Sequence, residues 1–352
     1  MADPLIRKNL RAVFRRHGPP KYLEMIKEEP PLPGANQVRL RVETAGVSPA
    51  DLLICWGLHP ESRRAPFTPG WDVIGVIDRV GSHLNTNDFP IGKRMAALMI
   101  VGGFARYVCI PAADTVSVPD NLDPAEAQCL PLDYLVSYQM LHRTAEVKSE
   151  ETVLIQGAAG STGSALLELG RSLELKMYGT ASTKKCGIVE DMGGISIDYK
   201  CEDFVRVLKE KEPGGVDVVF DGLGHTITRS YRVLNRSGRI IAYGHAPVVA
   251  GGRRHWNKLF GTSAQFALVL GQAALSPRKA SLYSIQELRK KHPEWYSEDL
   301  SQLFRLLGEG AIKPRVFDRL PVACDLCREH TGSPWPATGR IDRYLRIVDL
   351  AE

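Results

Sequence analysis

The chain has 352 residues, of which 44% are hydrophobic and 24% are charged. This length is too great for one compact core, and this composition excludes a disordered or fibrous chain. The 45 lysines and arginines exceed the 40 aspartates and glutamates by only 5, so the charge does not indicate a nucleic-acid-binding surface. The longest apolar runs, at 95–101 and 266–275, are too short to span a bilayer.

The amino terminus carries five basic residues between positions 7 and 16, but it lacks the apolar core of a secretory signal. We therefore expect a cytoplasmic protein. An organelle transit peptide is the alternative, although Phe14 leads into a segment that has the pattern of a first strand.

The seven cysteines are odd in number and scattered along the chain. This distribution favours free thiols in a reducing compartment over a disulfide framework. Cys324 and Cys327 form a single CxxC. We interpret it as two helix residues one turn apart rather than half of a zinc site, because no second pair or nearby histidine completes it.

The first 125 residues are rich in predicted β structure. Apolar and polar residues alternate at 37–42, which is typical of a half-buried strand. Further strands are predicted at 73–77 and 104–110, and turn signals at 31–34 and 69–70 separate the segments. This pattern indicates a small barrel.

From about residue 126 strands and helices alternate, which favours a parallel sheet with right-handed crossovers. A predicted helix at 163–173 follows the first strand of this region. A strand at 279–285 closes the sheet, a helix follows at 298–308, and irregular β structure returns at 315–321. The predicted strands before the closing one lie at 152–156, 176–180, 216–220 and 239–243.

A glycine turn joins the strand at 152–156 to the helix that follows it, and this context favours a dinucleotide-binding fingerprint over a purely structural turn. Gly160 lets the backbone approach a pyrophosphate, and Gly163 lets the helix pack on the strand. The amino end of the helix supplies N–H groups and a positive dipole to the phosphates. The predicted cofactor-binding residues of the turn are Gly157, Ala158, Ala159, Gly160, Ser161, Thr162 and Gly163.

The end of the second strand of this region indicates which dinucleotide binds. NAD sites carry an acidic residue there, for the ribose 2′-hydroxyl, but residues 180–185 contain no carboxylate. Ser182, Lys184 and Lys185 suit a 2′-phosphate, so we predict NADPH as the cofactor. A solvated pair of lysines in a loop is the alternative.

These residues together resemble the medium-chain dehydrogenase/reductase superfamily, in its zinc-free quinone oxidoreductase and enoyl reductase branch. Segments 69–71 and 292–295 are similar to fungal reductases of secondary metabolism. The motifs that carry the resemblance are 45–51 (AGVSPAD), 69–72 (PGWD), 103–108 (GFARYV), 157–163 (GAAGSTG) and 217–224 (DVVFDGLG).

The resemblance implies an α/β fold in which a Rossmann domain with a doubly wound parallel sheet binds NADPH at 126–286. A chaperonin-10-like β-barrel catalytic domain is implied at 1–125 and 287–352. Tyr199 matches a tyrosine that relatives place near the adenosine phosphate, and Gly222 and Gly244 are further implied cofactor-binding residues. Relatives are commonly dimers, so a homodimer is implied as well.

The same comparison argues against metal. Zinc-containing relatives have ligands where this chain has Ser48, Trp71 and Leu132, and the lobe at 93–107 contains no cysteine for a structural zinc. Without a Lewis acid, an activated double bond is an easier substrate than a plain ketone. We therefore predict hydride transfer to the β-carbon of an α,β-unsaturated carbonyl compound or a quinone.

Three residues are candidates for a catalytic donor: Ser48, His59 and Tyr134. Ser48 stands where relatives often have an asparagine, and His59 stands where enoyl reductases of this branch have a tyrosine. His59 as a surface loop residue is the alternative, and water as the proton source is another. The predicted substrate pocket contains Trp256, Phe260 and Tyr283, for which a place in a helix core is the alternative.

Two further functions remain open. One is a trans-acting enoyl reductase whose substrate is presented by the carrier of a polyketide synthase. The other, from a different class, is an NADPH-binding protein that acts as a scaffold or as a redox-neutral cyclase. Neither a nucleic-acid partner nor a membrane partner is predicted.

Overall fold

The computed structural model of the chain describes residues 8–244, 249–250, 253–254, 256–321 and 345–349. These residues divide into two compact units. The first is drawn from 1–132, 251–253 and 297–352, and the second from 133–250 and 254–296. The domain boundaries predicted at 125/126 and 286/287 stay predictions.

The described strands and helices alternate as follows in chain order. The strands are β1 (Asn9–Phe14), β2 (Leu23–Glu28), β3 (Gln37–Val47), β4 (Asp72–Val80), β5 (Arg94–Leu98), β6 (Tyr107–Pro111), β7 (Thr115–Ser117), β8 (Thr152–Gln156), β9 (Lys176–Ala181), β10 (Ile195–Asp198), β11 (Val216–Asp221), β12 (Leu234–Ala242), β13 (Val249–Ala250), β14 (Arg253–Arg254), β15 (Lys279–Leu282), β16 (Val316–Pro321) and β17 (Leu345–Asp349). The α-helices are α1 (Pro49–Cys55), α2 (Pro124–Gln128), α3 (Leu135–Gln139), α4 (Ser161–Ser172), α5 (Cys186–Asp191), α6 (Phe204–Lys211), α7 (Ile227–Arg232), α8 (Trp256–Ala274), α9 (Ile285–Lys291) and α10 (Pro293–Gly308). Wider π-type turns span Leu130–Tyr134 and Met140–Thr144, and short 3₁₀ turns span Pro20–Tyr22, Ala112–Asp114 and Thr183–Lys185.

The first unit contains a seven-stranded sheet in the order β16-β17-β3-β4-β5-β7, with β6 also paired to β3. Its pairs are antiparallel except for β16 with β17. β3 is its longest strand and alternates buried and less buried positions, as the sequence pattern at 37–42 predicts.

The second unit contains a six-stranded sheet in the order β10-β9-β8-β11-β12-β15, and every pair in it is parallel. Numbered along this sheet, the order is 3-2-1-4-5-6, which is the Rossmann order. The order reverses between β8 and β11, so the carboxyl ends of these two strands border the crevice in which such sheets bind ligands. The predicted fold class is confirmed.

Several boundaries differ from the sequence-based ones for identifiable reasons. β12 begins at Leu234, five residues before the predicted start, because its first residues are polar and do not read as a buried strand. α10 begins at Pro293, since proline suits the first turn of a helix. Among the helices that the structure describes, none combines the length and the apolar character needed to cross a membrane.

Candidate cofactor site and active site

The glycine turn after β8 has the backbone geometry that the fingerprint predicts. Gly157 has φ of 71°, a left-handed conformation that favours glycine. The Gly160 N–H donates to the Gly157 carbonyl at 2.9 Å, and α4 begins at the next residue. A Cβ on Gly163 would lie 2.6 Å from the Gly157 carbonyl oxygen. The first turn of α4 therefore packs so closely on the glycine turn that only glycine fits at position 163.

A buried chain of polar side chains links the carboxyl ends of three neighbouring strands. The Thr180 hydroxyl, at the end of β9, donates to Gln156 Oε1 at 2.7 Å, and it accepts the Gly157 N–H at 3.0 Å. Gln156 Nε2 donates to the Ser230 hydroxyl at 3.0 Å, which donates in turn to Asp221 Oδ2 at 2.9 Å. These hydrogen bonds hold the edge of the sheet at the strand-order reversal in one arrangement. Sequence reasoning missed this chain.

Two more glycines make close contacts at the same edge of the sheet. A Cβ on Gly222 would lie 2.6 Å from the ring of Tyr243, and a Cβ on Gly244 would lie 2.4 Å from the Gly222 carbonyl oxygen. Asp221 Oδ1 accepts the Leu223 and Gly224 N–H groups at 3.0 and 2.9 Å, which fixes the turn after β11. Gly222 and Gly244 thus lie together at the carboxyl ends of β11 and β12.

The residues predicted to contact a 2′-phosphate lie at the carboxyl ends of β9 and β10. Ser182 follows β9 directly and precedes the 3₁₀ turn that carries Lys184 and Lys185. The Tyr199 N–H donates to the Ala181 carbonyl at 3.1 Å, so Tyr199 lies beside the end of β9. Lys184 is exposed, and the Tyr199 side chain is 46% exposed. The structure therefore brings residues 182 and 199 together although 17 positions separate them.

A carboxylate lies at this corner that sequence reasoning did not consider. Asp198 ends β10, and its pKa is held below its usual value chiefly by a hydrogen bond from the Thr183 side chain and by one from the Lys200 N–H. The search for an acidic residue covered the end of the second strand, whereas Asp198 reaches the same corner from the third. Pairing of β9 with β10 places Asp198 opposite Ala181.

Asp133 is a second residue whose surroundings sequence reasoning missed. It is 6% exposed, and its Oδ1 accepts the Ser161 hydroxyl at 2.9 Å and the Thr162 hydroxyl at 2.6 Å. Burial raises the pKa of Asp133, and the two hydroxyls lower it. The residue stands out in the sequence as a lone acid in an apolar run, but its partners lie 28 and 29 positions away.

The candidate donor Tyr134 is buried, at 4% exposure. Its hydroxyl donates to Glu168 on α4, which is also buried. In the second unit the tyrosine hydroxyl therefore has a carboxylate acceptor inside the packing of α4.

The candidate donor Ser48 caps α1. Its hydroxyl and its backbone N–H both donate to Asp51 Oδ2, at 2.8 and 2.9 Å, and together they form a capping box. Asp51 Oδ1 accepts the Gly70 N–H at 2.9 Å. Asp51 is fully buried, and this burial raises its pKa to about 6.

The candidate donor His59 lies in the turn after α1. Its Nδ1 accepts the Glu61 N–H at 3.1 Å, so a neutral His59 carries its proton on Nε2. Its ring packs edge-on against Trp71, with the ring centroids 5.1 Å apart. Trp71 is 2% exposed, and its Nε1 has no hydrogen-bond partner among the residues that the structure describes. The indole N–H of Trp71 is a donor that sequence reasoning missed, because it treated position 71 only as a lost zinc ligand.

The three predicted pocket residues have different surroundings. Phe260 is 71% exposed on α8, whereas Tyr283 is 7% exposed and its hydroxyl donates to Gln139 Oε1 at 2.8 Å. Trp256 begins α8, but its side chain lies outside the described part of the chain. Their place in a substrate pocket stays a prediction.

Comparison with known proteins identifies the family. Residues 34–120 match the alcohol dehydrogenase GroES-like domain, and residues 195–324 match the zinc-binding dehydrogenase domain. The rat synaptic vesicle membrane protein VAT-1 homolog is 32% identical over 298 residues, covering 82% of this chain and 71% of that protein. Pig quinone oxidoreductase is 32% identical over 238 residues, covering 66% of this chain and 71% of that protein. The chain belongs to the medium-chain dehydrogenase/reductase superfamily, in its quinone oxidoreductase and enoyl reductase branch.

A solved structure of the superfamily has the same fold. Escherichia coli quinone oxidoreductase complexed with NADPH superposes with a TM-score of 0.81 at 24% identity, covering 97% of this chain and 99% of that chain. The predicted family is therefore confirmed, and the fungal secondary-metabolism subtype stays a prediction.

One matching domain of this medium-chain dehydrogenase/reductase takes its name from zinc. The described residues contain no group of three or more histidine, cysteine, aspartate or glutamate side chains that could hold a metal ion. Cys324 and Cys327 lie outside the described residues. Zinc independence stays a prediction.

Proposed function

We propose that this chain is an NADPH-dependent, zinc-independent reductase of α,β-unsaturated carbonyl compounds or quinones. The observation that carries the proposal is the glycine turn between β8 and α4. It lies at the order reversal of a six-stranded parallel sheet, where such folds bind dinucleotides. Membership of the superfamily places the chain among nicotinamide-dependent oxidoreductases.

The described residues fit a dinucleotide. At Gly163, Gly222 and Gly244 a Cβ would meet backbone or ring atoms at 2.4–2.6 Å, so larger side chains are kept from this edge. Residues 157–163 would hold the pyrophosphate, with α4 directing its amino end toward it. When bound, NADPH supplies the hydride that reduces the β-carbon, while a proton from solvent or a side chain completes the saturated product.

The second binding corner supports NADPH over NADH. Ser182, Lys184 and Lys185 follow β9, and Tyr199 lies beside them. A hydroxyl and two ammonium groups can bind a 2′-phosphate by charge-assisted hydrogen bonds. Asp198 at the same corner opposes this preference by its charge. The excess of two lysines over one carboxylate therefore supports a moderate preference for NADPH.

The absent zinc ligands support the substrate class. Ser48, Trp71 and Leu132 stand where zinc-containing relatives have ligands, and neither an indole nor a leucine side chain coordinates zinc. Stabilisation of a developing enolate oxygen then falls to hydrogen-bond donors. The unpaired indole N–H of Trp71 and the Nε2–H of His59 are two such donors.

His59 is the best-supported proton donor of the three candidates. Its hydrogen bond from the Glu61 N–H fixes the tautomer with the proton on Nε2, whereas the hydroxyls of Ser48 and Tyr134 already donate to buried carboxylates. Histidine also exchanges protons readily near neutral pH. We propose that His59 supplies the proton, and that Ser48 and Tyr134 position the elements around it.

The decisive experiment is loss of absorbance at 340 nm when NADPH is mixed with the protein and a panel of small enones and quinones. Oxidation that a zinc chelator leaves unchanged supports the proposal. Oxidation abolished by the chelator and restored by zinc contradicts zinc independence.

The same panel separates the two rival functions. Turnover of thioester or carrier-bound enoyl groups without turnover of small enones would indicate a trans-acting enoyl reductase of a polyketide synthase. Tight NADPH binding without oxidation by any substrate of the panel would indicate a scaffold or a redox-neutral cyclase.

We further propose a cytoplasmic homodimer. β15 ends the parallel sheet, and within the described residues it pairs with β12 alone. Leu275 and Leu282, before and at the end of this strand, are 92% and 54% exposed. A second copy of the chain could cover these leucines and pair with the sheet edge. The molar mass in solution, measured by light scattering during size exclusion, tests this.

A further inference from the structure

A small cluster of carboxyl and hydroxyl groups lies at the first turn of α4, and we call it the Asp133 cluster. It consists of Asp133, Ser137, Ser161 and Thr162. Ser161 and Thr162 donate from α4 to Asp133 Oδ1, at 2.9 and 2.6 Å. Ser137 donates to the Asp133 and Thr162 carbonyl oxygens, at 2.8 and 3.0 Å, and so ties the 130–134 turn to the same end of α4.

The second carboxyl oxygen of Asp133 is unsatisfied. Oδ2 is buried and has no hydrogen-bond partner among the described residues, in a side chain that is 6% exposed. A buried ionised carboxylate with an unsatisfied oxygen is costly, and protonation is the usual way in which proteins remove that cost. The raised pKa of Asp133, which burial causes, agrees with this geometry.

The position of the cluster matters because the amino end of α4 is also where the proposed function places the pyrophosphate. Ser161 and Thr162 are the first two residues of the helix, and both of their hydroxyls are engaged by Asp133. An anion attracted to these N–H groups would lie close to a carboxylate that is shielded from water. Two negative charges in such a site disfavour each other, and a proton on the carboxyl group removes the conflict.

Other titratable groups on the same helical elements are engaged with one another. Tyr134 donates to Glu168 on α4, and the rings of Tyr138 and His142 lie 4.2 Å apart on the helical run that follows Asp133. Burial and the hydroxyls of Thr162 and Ser161 are the causes that act on the pKa of Asp133.

We propose that Asp133 takes up a proton from solvent when a dinucleotide binds at the first turn of α4, so that cofactor affinity is coupled to pH. The proton goes to Oδ2, while Oδ1 keeps the two hydroxyl hydrogen bonds, and no other bond forms or breaks. This inference rests on the proposed function only in that it needs a dinucleotide at this turn. Asp133 is a positioning residue for the cofactor and not a catalytic one.

The test is calorimetric titration of the whole protein with NADPH and with NADH between pH 6 and pH 9. Each titration is run in two buffers of different ionisation enthalpy, so that the difference in heat counts the protons taken up. We expect uptake approaching one proton with both cofactors, because both carry the pyrophosphate. The Kd should rise by about tenfold per pH unit above the pKa of the free carboxyl group.

Two variants sharpen the test. Asp133→Asn presents an amide N–H at the place of the protonated oxygen, so its Kd should stay flat between pH 7 and pH 9 and its proton uptake should be lost. Glu210→Gln removes the same charge from an exposed position on α6 and should behave as the unmodified protein.

The outcomes separate the two ideas. A wild-type Kd that is flat with pH, without proton uptake, would overturn the role of Asp133 even if NADPH binds and is oxidised. This wild-type measurement decides the matter if Asp133→Asn does not fold. Proton uptake that persists in a folded Asp133→Asn variant would also overturn it. Binding with proton uptake but without turnover would overturn the reductase and leave this inference standing, whereas absence of any dinucleotide binding would overturn both.

Discussion

Replacement of Lys184 by alanine should weaken NADPH binding much more than NADH binding. Lys184 lies in the 3₁₀ turn directly after β9, at the corner where Ser182 and Tyr199 also lie. The two cofactors differ only in the 2′-phosphate. An ammonium group that contacts this phosphate therefore contributes to NADPH affinity and leaves NADH affinity almost unchanged.

The exposure of Lys184 sets the size of the effect. Two unit charges about 4 Å apart interact by about 1 kcal/mol in water and by about 4 kcal/mol near a protein surface of lower effective dielectric. An exposed lysine lies toward the lower limit, so we expect about 1–2 kcal/mol for Lys184. That corresponds to an increase in the Kd for NADPH of roughly 5- to 30-fold.

The assay is titration of intrinsic fluorescence with each cofactor, at low and at high salt. The difference between Lys184→Ala and wild type should shrink at about 1 M salt, where the screening length falls to about 3 Å. Lys209→Ala is the matched control, because it removes the same charge from an exposed position on α6. If Lys184→Ala weakened both cofactors equally, or no more than Lys209→Ala does, the assignment of this corner to a 2′-phosphate would be wrong.

Three further variants test other parts of the site. Gly163→Ala places a Cβ 2.6 Å from a carbonyl oxygen, so it should lower the unfolding free energy by about 1–3 kcal/mol and weaken cofactor binding, as urea unfolding and titration would show. Asp51→Asn should flatten the pH dependence of stability: the folded-state pKa of about 6 lies above the ordinary 3.8, so the wild type loses about 3 kcal/mol as pH rises from about 4 to 6, measurable by urea unfolding at each pH. His59→Gln should lower kcat by about 100-fold with little change in the Kd for NADPH, whereas Tyr134→Phe should lower stability by about 1–3 kcal/mol and leave kcat within about threefold. Steady-state kinetics that reverse the last two results would make Tyr134 the proton donor.

The fold was predictable where one local pattern determines one element. The strand at 152–156 is predicted with its observed bounds, because a short apolar run ends at a glycine turn. The regular alternation after it is enough to predict a parallel sheet. α8 was only an alternative interpretation of its aromatic residues, because its 19 residues lack a clear polar face and include two interior glycines.

The site was predictable where its residues are consecutive and not where the fold assembles it. Residues 157–163 are contiguous, so their role follows from the motif. Asp198 reaches the 2′-phosphate corner through the pairing of β9 with β10, which no local pattern reveals. Asp133 likewise meets its hydroxyl partners only because the 130–134 turn packs on the start of α4. A lone acid in an apolar run is a useful signal, but it does not say what the acid faces.

The capping box of α1 has a consequence for the evolutionary reversibility of zinc loss. Ser48 occupies the place of a ligand cysteine, yet its hydroxyl is now one of the donors that satisfy the buried Asp51 carboxylate, which also anchors the Gly70 N–H beside Trp71. A return to cysteine at position 48 would exchange a strong donor for a weak one beside a buried acid before any metal could compensate. Recovery of a metal centre would thus require simultaneous changes at 48, 51 and 71, so an ancestral state of this kind is closed to single substitutions.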